Sequence, residues 1–321
     1  MKKYNSIKDF VDLKDMKDLE IYQEFNKELI PLLELLEQIN PCGQEYELRN
    51  NSIIISYFLK LNLLNFKNML PLKWRVQVIG LPISISEKGY WGEETSVEKT
   101  IRERKGLKIL LNGNSGFKKP GRTLSTFIFE NKFLTFNEYL DALRSSYRRR
   151  IHKALKHREN LEIKKIDRSN FNENHYKLYL SIMDRTENPL EILPIEFFIE
   201  YKAELYEFID KKTKNIIGFI QLKEIGGRLC FLFGGFTKED NKSYDVYYNM
   251  LLKIIEIGID KQVKFIDFGQ TAEESKLKIG CREMPKYLYV HHSNLIINWA
   301  IQLLLPRFSY KPYNIQHHVF K

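Results

Sequence analysis

The sequence predicts an α/β (α+β) protein in which a mixed sheet is flanked by helices and two related subdomains follow one another in tandem. The chain has 321 residues, more than one average domain, and 43% of them are hydrophobic, enough for a sizeable core. Helical and strand-like hydrophobic periods alternate in both halves. We therefore expect an N-terminal subdomain over residues 1–168 and a second subdomain over residues 169–321.

The N-terminal half begins with a helical pattern and continues with strands. Apolar residues recur at helical spacing over residues 18–40, and Pro31 is expected to kink or divide this helix. Runs rich in β-branched and aromatic residues then predict strands over residues 51–61, 74–79, 106–111 and 123–129.

A strongly basic helix ends the N-terminal subdomain. The hydrophobic period predicts it over residues 136–157, and from Arg144 to Arg158 the chain carries many Arg and Lys residues but no acidic one. This pattern is typical of a solvated linker helix, or of a helix that contacts phosphate groups of tRNA, of anionic lipid or of a cell-wall precursor. No aromatic interleaving indicates base stacking, so sequence-specific recognition of nucleic acid is disfavoured.

The second half is predicted to begin with helices over residues 170–184 and from residue 195, and its most informative stretch is residues 218–290. Two apolar strands precede a polar loop, an amphipathic helix, a short buried strand, a turn of helix and a last strand. This order, with the segments IGLPIS, LPIEFF and KFIDFGQTAEESKLKIGCREMPKYLYV, resembles the GNAT acyltransferase fold, and in particular the branch that holds the Fem peptidoglycan aminoacyltransferases. The resemblance implies a degenerate GNAT-like subdomain followed by a GNAT-like acyltransferase subdomain with a helical tail.

The resemblance also implies a site for an acyl-CoA, with acetyl-CoA as the expected donor. A glycine pair in the second apolar strand would let the strand backbone approach the pantetheine arm closely. The N-terminus of the helix over residues 244–259 would offer free N–H groups and a positive dipole end to phosphate. The expected donor-binding residues are Phe233, Gly234, Gly235, Phe236, Lys238, Asn241, Lys242, Ser243 and Lys276.

The segment expected to bind phosphate departs from the usual GNAT pattern. The sequence FTKEDNKSYD replaces the common Gln/Arg-x-x-Gly-x-Gly/Ala loop, and the charges of Glu239 and Asp240 oppose phosphate. The Fem transferases share this degeneracy and take their acyl group from aminoacyl-tRNA. A solvated loop between a strand and a helix, with Asn241 or Ser243 as an ordinary cap, is the alternative interpretation.

The carboxyl end of the short strand at residues 263–268 is the expected catalytic region. Direct acyl transfer needs a deprotonated amine, a group that polarises the carbonyl and an acid for the leaving thiolate. Asp267, Gln270 and Glu273 lie where the sheet would open to substrate, and Glu273 or its neighbour Glu274 is the candidate base. The two glutamates equally suit the first turn of a helix.

Two further side chains complete the predicted site. Tyr289 is a candidate acid for the thiolate, as are Tyr247, Tyr248 and Tyr287, although a packing role also suits each of them. The resemblance places Lys276 in the cleft, where it would hold a phosphate or an acceptor carboxylate. A surface lysine on a helix is the alternative.

Composition limits the partners and the compartment. Lys and Arg number 51 against 41 Asp and Glu, and a formal charge of +10 favours anionic partners. Three scattered cysteines predict neither a disulfide framework nor a zinc site, and the paired histidines lack a third ligand, so no metal is expected. We expect a cytoplasmic protein, since the N-terminus has no apolar run of a signal peptide.

The apolar stretch over residues 294–305 predicts a helix that is too short to cross a bilayer. Packing on its own domain is the first interpretation, and contact with a membrane surface or a second copy is the other. For the whole chain, the first functional hypothesis is transfer of an acyl group from acyl-CoA to an amine acceptor. The alternatives are a Fem-like aminoacyl-tRNA-dependent transferase acting on a peptidoglycan precursor, and a catalytically silent ligand-binding module.

Overall fold

The computed structural model describes residues 3–13, 20–40, 42–62, 73–186, 191–313 and 315–321. The chain divides into two compact units. Unit 1 comprises Met1–Leu124 and Pro285–Pro312, and unit 2 comprises Ser125–Met284 and Tyr313–Lys321. The subdomain boundary predicted at residue 168 therefore falls inside unit 2, and each unit is completed by a segment from the C-terminal part of the chain.

The strands are numbered in chain order. They are β1 (Lys3–Tyr4), β2 (Glu45–Arg49), β3 (Ser52–Asn62), β4 (Lys73–Ile79), β5 (Tyr90–Trp91), β6 (Leu107–Gly113), β7 (Gly121–Glu130), β8 (Leu161–Ile166), β9 (Glu204–Asp210), β10 (Ile216–Ile225), β11 (Arg228–Phe236), β12 (Phe265–Asp267) and β13 (Arg282–His292).

The α-helices are numbered in the same way. They are α1 (Ile7–Val11), α2 (Glu20–Glu24), α3 (Ile30–Ile39), α4 (Glu94–Arg102), α5 (Phe136–Ala142), α6 (Ser145–Arg158), α7 (Glu173–Met183), α8 (Ile195–Glu200), α9 (Lys238–Tyr244), α10 (Val246–Asp260), α11 (Glu273–Lys278) and α12 (Leu295–Phe308).

The sheets of the two units have similar topology and differ in the origin of the last strand, which follows the others along the chain in unit 1 and precedes them in unit 2. In unit 1 the order is β1-β2-β3-β4-β6-β13, and in unit 2 it is β8-β9-β10-β11-β12-β7. Within each sheet a single pair, β4 with β6 and β11 with β12, is parallel, and the other paired strands are antiparallel. Parallel neighbours need a crossover connection, and the crossovers contain α4 in unit 1 and α9 and α10 in unit 2.

Helix α10 forms the centre of the unit 2 core. Its sequence is apolar almost all round, and eleven of its fifteen residues are buried, which is typical of a helix enclosed on several sides. Val246, Met250 and Ile254 belong to one cluster with Phe129 and Ile266 from the sheet. Full burial of each such side chain contributes about 1.5–3 kcal/mol to folding.

Two elements differ from the sequence-based prediction. The single helix predicted over residues 136–157 is two helices, because Leu143 adopts an extended conformation and forms a bridge with Phe320. The predicted polar loop FTKEDNKSYD is largely helix α9, whose first turn is capped by Thr237: its Oγ1 accepts a hydrogen bond from Asp240 N at 3.0 Å.

The N-terminal helical pattern is divided, as Pro31 predicted. Helix α3 begins at Ile30 with Pro31 in its first turn, where the missing N–H costs nothing, and a short 3-10 helix precedes it. Part of the predicted helix lies outside the described residues, as do residues 187–190 between the helices predicted over residues 170–184 and from residue 195. Within the described ranges, no helix combines the length and the apolar character that crossing a membrane requires.

Candidate functional site

The parallel seam between β11 and β12 is short. Its paired residues run from Arg228 opposite Phe265 to Cys230 opposite Asp267. After that, Phe268 N donates to the carbonyl oxygen of Phe127 in β7 at 2.9 Å, so the chain after β12 follows β7. Strand β11 stays with β10 and continues to Phe236.

The divergence leaves residues 231–236 of β11 without a strand on one side among the described residues. We call the place where residues 231–236 and residues 268–270 part the β11–β12 opening; at its start the two segments are still close, since a Cβ at Gly269 would lie 3.7 Å from Phe231 O. A β-bulge accompanies it: Gln221 pairs with Phe233 and Leu222 with Phe231, which leaves Leu232 as an extra residue in β11. A bulge bends its strand, so it gives β11 a local reason to part from its neighbour.

The turn that connects β12 to α11, residues 268–272, has an unusual backbone. Gly269, Thr271 and Ala272 all have positive φ angles, of 70°, 64° and 51°. For a residue with a side chain this conformation is sparsely populated, and it persists only where the surroundings hold it. Such turns cluster at functional sites, which makes this one a candidate.

Lys276 holds this turn from within the protein. Its side-chain Nζ donates to the carbonyl oxygens of Gly269 at 3.2 Å and Gln270 at 2.6 Å. The residue is 2% exposed, so the alternative of a surface lysine is wrong. Burial lowers the pKa of Lys276 to about 8, because the low-dielectric surroundings disfavour the charged form.

Asp267 serves the same turn. Its Oδ1 accepts hydrogen bonds from Thr126 Oγ1 at 2.7 Å and from Gly269 N at 2.8 Å, and its carboxylate is buried. A carboxylate enclosed by these donors fixes the start of the turn and has little room to reach a substrate. Glu273 is the first residue of α11 and is half-buried beside the turn.

The glycine pair of β11 contacts protein and leaves little space for a ligand there. A Cβ at Gly235 would lie 2.6 Å from the backbone carbonyl carbon of Leu178 and from Tyr179 N in α7, and one at Gly234 would lie 3.0 Å from Phe219 O. The close backbone approach that the sequence predicted is therefore made by α7 and β10. Phe233 packs against Phe197 and other aromatic rings.

Phe236, the last residue of β11, is also engaged. Its carbonyl oxygen accepts hydrogen bonds from Ser181 Oγ and Arg185 Nη2, each at 2.8 Å. Its ring lies 5.5 Å, centre to centre, from the ring of Tyr247 in α10. Tyr247 is thus adjacent to the end of the opening, and burial raises its pKa, with the charge of Glu273 as a smaller contribution.

The N-terminus of α10 differs from the predicted phosphate site. Asp245 is its N-cap residue, with φ of 51°, and its carboxylate pairs with Arg150 of α6, with Oδ1 2.7 Å from Nη2. Asn241 Oδ1 accepts from Tyr247 N at 2.8 Å, which confirms the predicted capping by Asn241. A carboxylate and an amide oxygen therefore occupy this end, while Lys238, Lys242 and Ser243 are exposed on α9.

A cavity of about 570 Å³ lies beside this helix terminus within unit 2. Its volume is in the range of small-molecule sites. Residues from α6, α9, α10, α11 and the C-terminal segment line it: Ser146, Tyr147, Arg150, Asn241, Asp245, Tyr247, Tyr248, Glu274, Ser275, Lys278 and His317. Sequence reasoning identified only some of them, because no local pattern joins five separate segments.

Tyr289 belongs to unit 1 and not to this group. It is buried in a core cluster with Ile54 and Val97, its ring stacks on Phe117 at 5.5 Å, and its hydroxyl oxygen accepts from Arg102 Nε at 3.1 Å. Packing thus accounts for this tyrosine. Unit 2 brings together the turn, Lys276, Asp267, Gln270 and Glu273. Among the described residues, no group of three potential ligands suits a metal ion.

Comparison with known proteins identifies the type of fold. No protein-family model and no curated protein matches the chain. The C-terminal domain, of a type called DUF2156, of an Agrobacterium fabrum protein assigned as a lysylphosphatidylglycerol synthetase matches with a TM-score of 0.51 and 9% identity, over 90% of this chain and 96% of that one. The chain has a GNAT-like, acyltransferase-type fold. At this identity the likeness concerns the fold alone, and it confirms the predicted fold class.

Two other solved structures are similar at lower scores. FemX matches with a TM-score of 0.48 and 11% identity, over 81% of this chain and 90% of that one. A GCN5-related N-acetyltransferase from Sphaerobacter thermophilus matches with a TM-score of 0.42 and 7% identity, over 82% and 85% of the two chains.

Proposed function

We propose that unit 2 transfers an acyl group to an amine at the β11–β12 opening. The observation that carries this proposal is the opening itself: over residues 231–235, β11 has β10 on one side and, among the described residues, no strand on the other, and the turn held by the buried Lys276 follows β12. Unpaired backbone N–H and C=O groups can bind an extended, amide-containing arm and polarise a carbonyl that lies against them. The fold, known in acyl-transferring proteins, agrees with this chemistry.

The reaction we propose is direct attack. The neutral amine forms a C–N bond to the carbonyl carbon of the donor, and the bond from that carbon to the leaving sulfur or oxygen breaks. The amine loses one proton, for which Glu273 is the proposed acceptor, and the leaving group gains one. Tyr247 is the proposed acid in place of Tyr289. Its ring packs against Phe236 at the end of the opening, and the residue also lines the cavity.

Lys276 and Asp267 are proposed to act through the turn. Each hydrogen-bonds to Gly269, Lys276 to its carbonyl oxygen and Asp267 to its N–H, so together they set the path of residues 268–272. The side chain of Gln270 is the proposed contact with the substrate. A shift of about 1 Å in such a turn is enough to lower a rate about 100-fold.

An acyl-CoA, with acetyl-CoA as the simplest case, is the first proposed donor. Its pantetheine arm would follow the free edge of β11. Its phosphates would have to bind away from the Asp245 carboxylate, and the exposed Lys238 and Lys242 of α9 are the proposed contacts, together with Asn241 and Ser243.

Aminoacyl-tRNA is the second proposed donor, and two observations favour it. Asp245 places a negative charge where a GNAT would bind pyrophosphate. In addition, Arg149, His152, Lys153 and Lys156 of α6 are exposed at helical spacing and form one basic stripe, which suits the backbone of an RNA. A peptidoglycan precursor with a free amine is the acceptor that accompanies this donor.

Thermal unfolding with ligands separates the two donors. A donor at 100 times its Kd should stabilise the protein by about 2.7 kcal/mol. We expect a shift with acetyl-CoA that Lys238→Glu combined with Lys242→Glu reduces. Lys177→Glu, an exposed lysine on α7, is the matched control that should leave the shift unchanged.

A shift with total tRNA but none with acetyl-CoA would replace the first donor by the second. That shift should weaken with added salt and with Lys153→Gln combined with Lys156→Gln. If neither donor shifts the transition and neither supports acyl transfer to amines, acyl transfer is wrong and the silent binding module takes its place.

A further inference from the structure

The outer face of helix α12 is a large exposed apolar surface on unit 1. Leu295, Ile296, Trp299, Leu303 and Phe308 are 84%, 78%, 67%, 63% and 71% exposed. Leu295, Ile296, Trp299 and Leu303 lie within about 100° of one another around the helix axis and form one side of the helix, and Phe308 is its last residue. With Leu304 they are six of the eleven exposed large hydrophobic residues in the described part of the chain, so the exposure is concentrated here.

The opposite side of the helix contacts unit 1. Ile301 and Leu305 pack against a cluster that contains Val76 and Val290. Gln302 Nε2 donates to Val290 O at 2.8 Å, and Asn298 Oδ1 accepts from His292 N at 3.0 Å. The outer residues are therefore not needed to hold the helix in place, and their exposure is a property of an anchored element.

Charge separates the possible partners of this face. Pro285–Pro312, the C-terminal segment of unit 1, contains Lys286, Arg307 and Lys311 but no Asp or Glu. Arg307 and Lys311 are exposed at the end of the helix. Two copies of this chain would each carry a net charge of +10, which opposes their association, whereas an anionic surface would attract the basic residues.

The shape of the element suits a bilayer surface. Fourteen residues give a helix of about 21 Å, too short to span the hydrocarbon core but long enough to lie along it. Trp299 is near the middle of the exposed side, and tryptophan favours the boundary between headgroups and acyl chains. An apolar face with basic residues beside it is the pattern of an interfacial helix.

We propose that unit 1 docks on an anionic membrane surface through the outer face of α12, with Trp299 and its apolar neighbours in the headgroup boundary and Arg307 and Lys311 on lipid phosphates. This inference is independent of the acyl transfer proposed for unit 2. The proposed partner of this face is anionic lipid. From the sequence alone, packing on the domain, membrane contact and contact with a second copy were all open for this helix.

Vesicle binding tests the proposal with the full chain. Co-sedimentation with vesicles of 30% phosphatidylglycerol in phosphatidylcholine should show binding that pure phosphatidylcholine reduces at least tenfold. Leu295→Ser combined with Leu303→Ser should weaken binding at least tenfold, and Arg307→Gln combined with Lys311→Gln about twentyfold at low salt. Leu134→Ser, at a residue 76% exposed in unit 2, is the control that should leave it unchanged.

Circular dichroism should show each variant folded, because the altered side chains point away from the core. Quenching of tryptophan fluorescence by brominated lipid should fall in Trp299→Phe, which locates the contact on α12. Equal vesicle binding by the Leu295 and Leu303 double variant would overturn the proposal. So would a concentration-dependent dimer, seen by light scattering, that the same variant abolishes, since the face would then bind a second copy.

Discussion

Each unit contains one parallel pair of strands among the described residues, β4 with β6 in unit 1 and β11 with β12 in unit 2, and the two pairs end differently. In unit 1, β4 pairs with β6 over four residues and the last of them, Ile79, is the last residue of β4. In unit 2, pairing stops at Cys230 and β11 continues to Phe236. The parallel pair at the corresponding position of the two sheets is thus closed to the end of β4 in unit 1 and open beyond Cys230 in unit 2.

The segments that follow the two seams are packed differently. In unit 1 the chain leaves β4 at Gly80, and a Cβ at Gly89 would lie 2.5 Å from the Gly80 backbone, so the two segments touch directly. Ile55 in β3 donates to Gly89 O at 2.8 Å and accepts from Gly80 N at 3.1 Å. In unit 2 a bulge at Leu232 takes the strand away from its neighbour.

Each unit also buries one lysine near its parallel seam. Lys108, at the start of β6, donates to Arg104 O at 2.7 Å and Gly106 O at 3.0 Å. Lys276 makes the equivalent pair of bonds to the turn after β12. Burial lowers the pKa of both to about 8. The two lysines differ in position. Lys108 bonds to the chain that precedes β6, and Lys276 bonds to the turn beside the opening.

The largest expected effect is a difference in acyl-transfer rate between variants of the two buried lysines. Lys276→Met should lower the rate of acyl transfer about 100-fold, because the turn would lose both hydrogen bonds that Lys276 donates to it and would keep only those of Asp267. Lys108→Met, the matched variant in unit 1, should leave the rate nearly unchanged. Steady-state kinetics of the two variants checks this. Equal losses would mean that the lysines are both merely structural.

A second prediction concerns the glycine of β11. Gly235→Ala should destabilise the protein by about 1–3 kcal/mol, since the added methyl group would overlap the α7 backbone. Urea unfolding measures the change. Gly227→Ala, at a hairpin glycine whose Cβ would meet no atom within 4 Å, serves as the steric control and isolates the strain of its positive φ of 69°. An unchanged midpoint for Gly235→Ala would mean that α7 does not touch β11.

The buried lysine predicts a pH dependence of stability. Lys276 titrates at about 8 in the folded protein but near its ordinary pKa of 10.5 when unfolded, so the unfolded chain binds more protons between these values. The free energy of unfolding of the parent should therefore rise with pH relative to Lys276→Met, by up to about 2 kcal/mol between pH 8 and pH 9.5. Urea unfolding at both pH values tests it, and parallel curves would contradict the lowered pKa.

The smallest effect concerns the terminus of α10. Asn241→Ala should cost about 1 kcal/mol of stability, because Tyr247 N would lose its acceptor. Ser243→Ala, on an exposed side of α9, should cost less. Thermal unfolding distinguishes the two, and equal costs would remove the capping role of Asn241.

Much of the fold could be predicted from local patterns. Strand β4 covers the predicted residues 74–79, and Pro31 divides the first helix as expected, because hydrophobic period and proline geometry act within a few residues. The break at Leu143 could not be predicted, since its cause is pairing with Phe320, far along the chain. Helix α9 was missed because the polar residues of FTKEDNKSYD resemble a loop until Thr237 is seen to cap it.

The candidate site shows the same division. The residues around Asp267 and Lys276 were identified from sequence, but their burial was not, and burial is what makes Asp267 a structural carboxylate and lowers the pKa of Lys276. Tyr289 was grouped with them because it is near in sequence, yet β13 carries it into unit 1.

By itself, the sequence determined the fold class, most of its helices and strands, and the stretch of chain in which the candidate site lies. Hydrophobic period, turn residues and motif order are local properties, and they were sufficient for that. Only the tertiary structure decided that the β11–β12 seam opens, that Asp245 occupies the expected phosphate position and that the apolar side of α12 stays exposed. Each of these depends on which distant residues meet, and burial, pairing and exposure have no local signature.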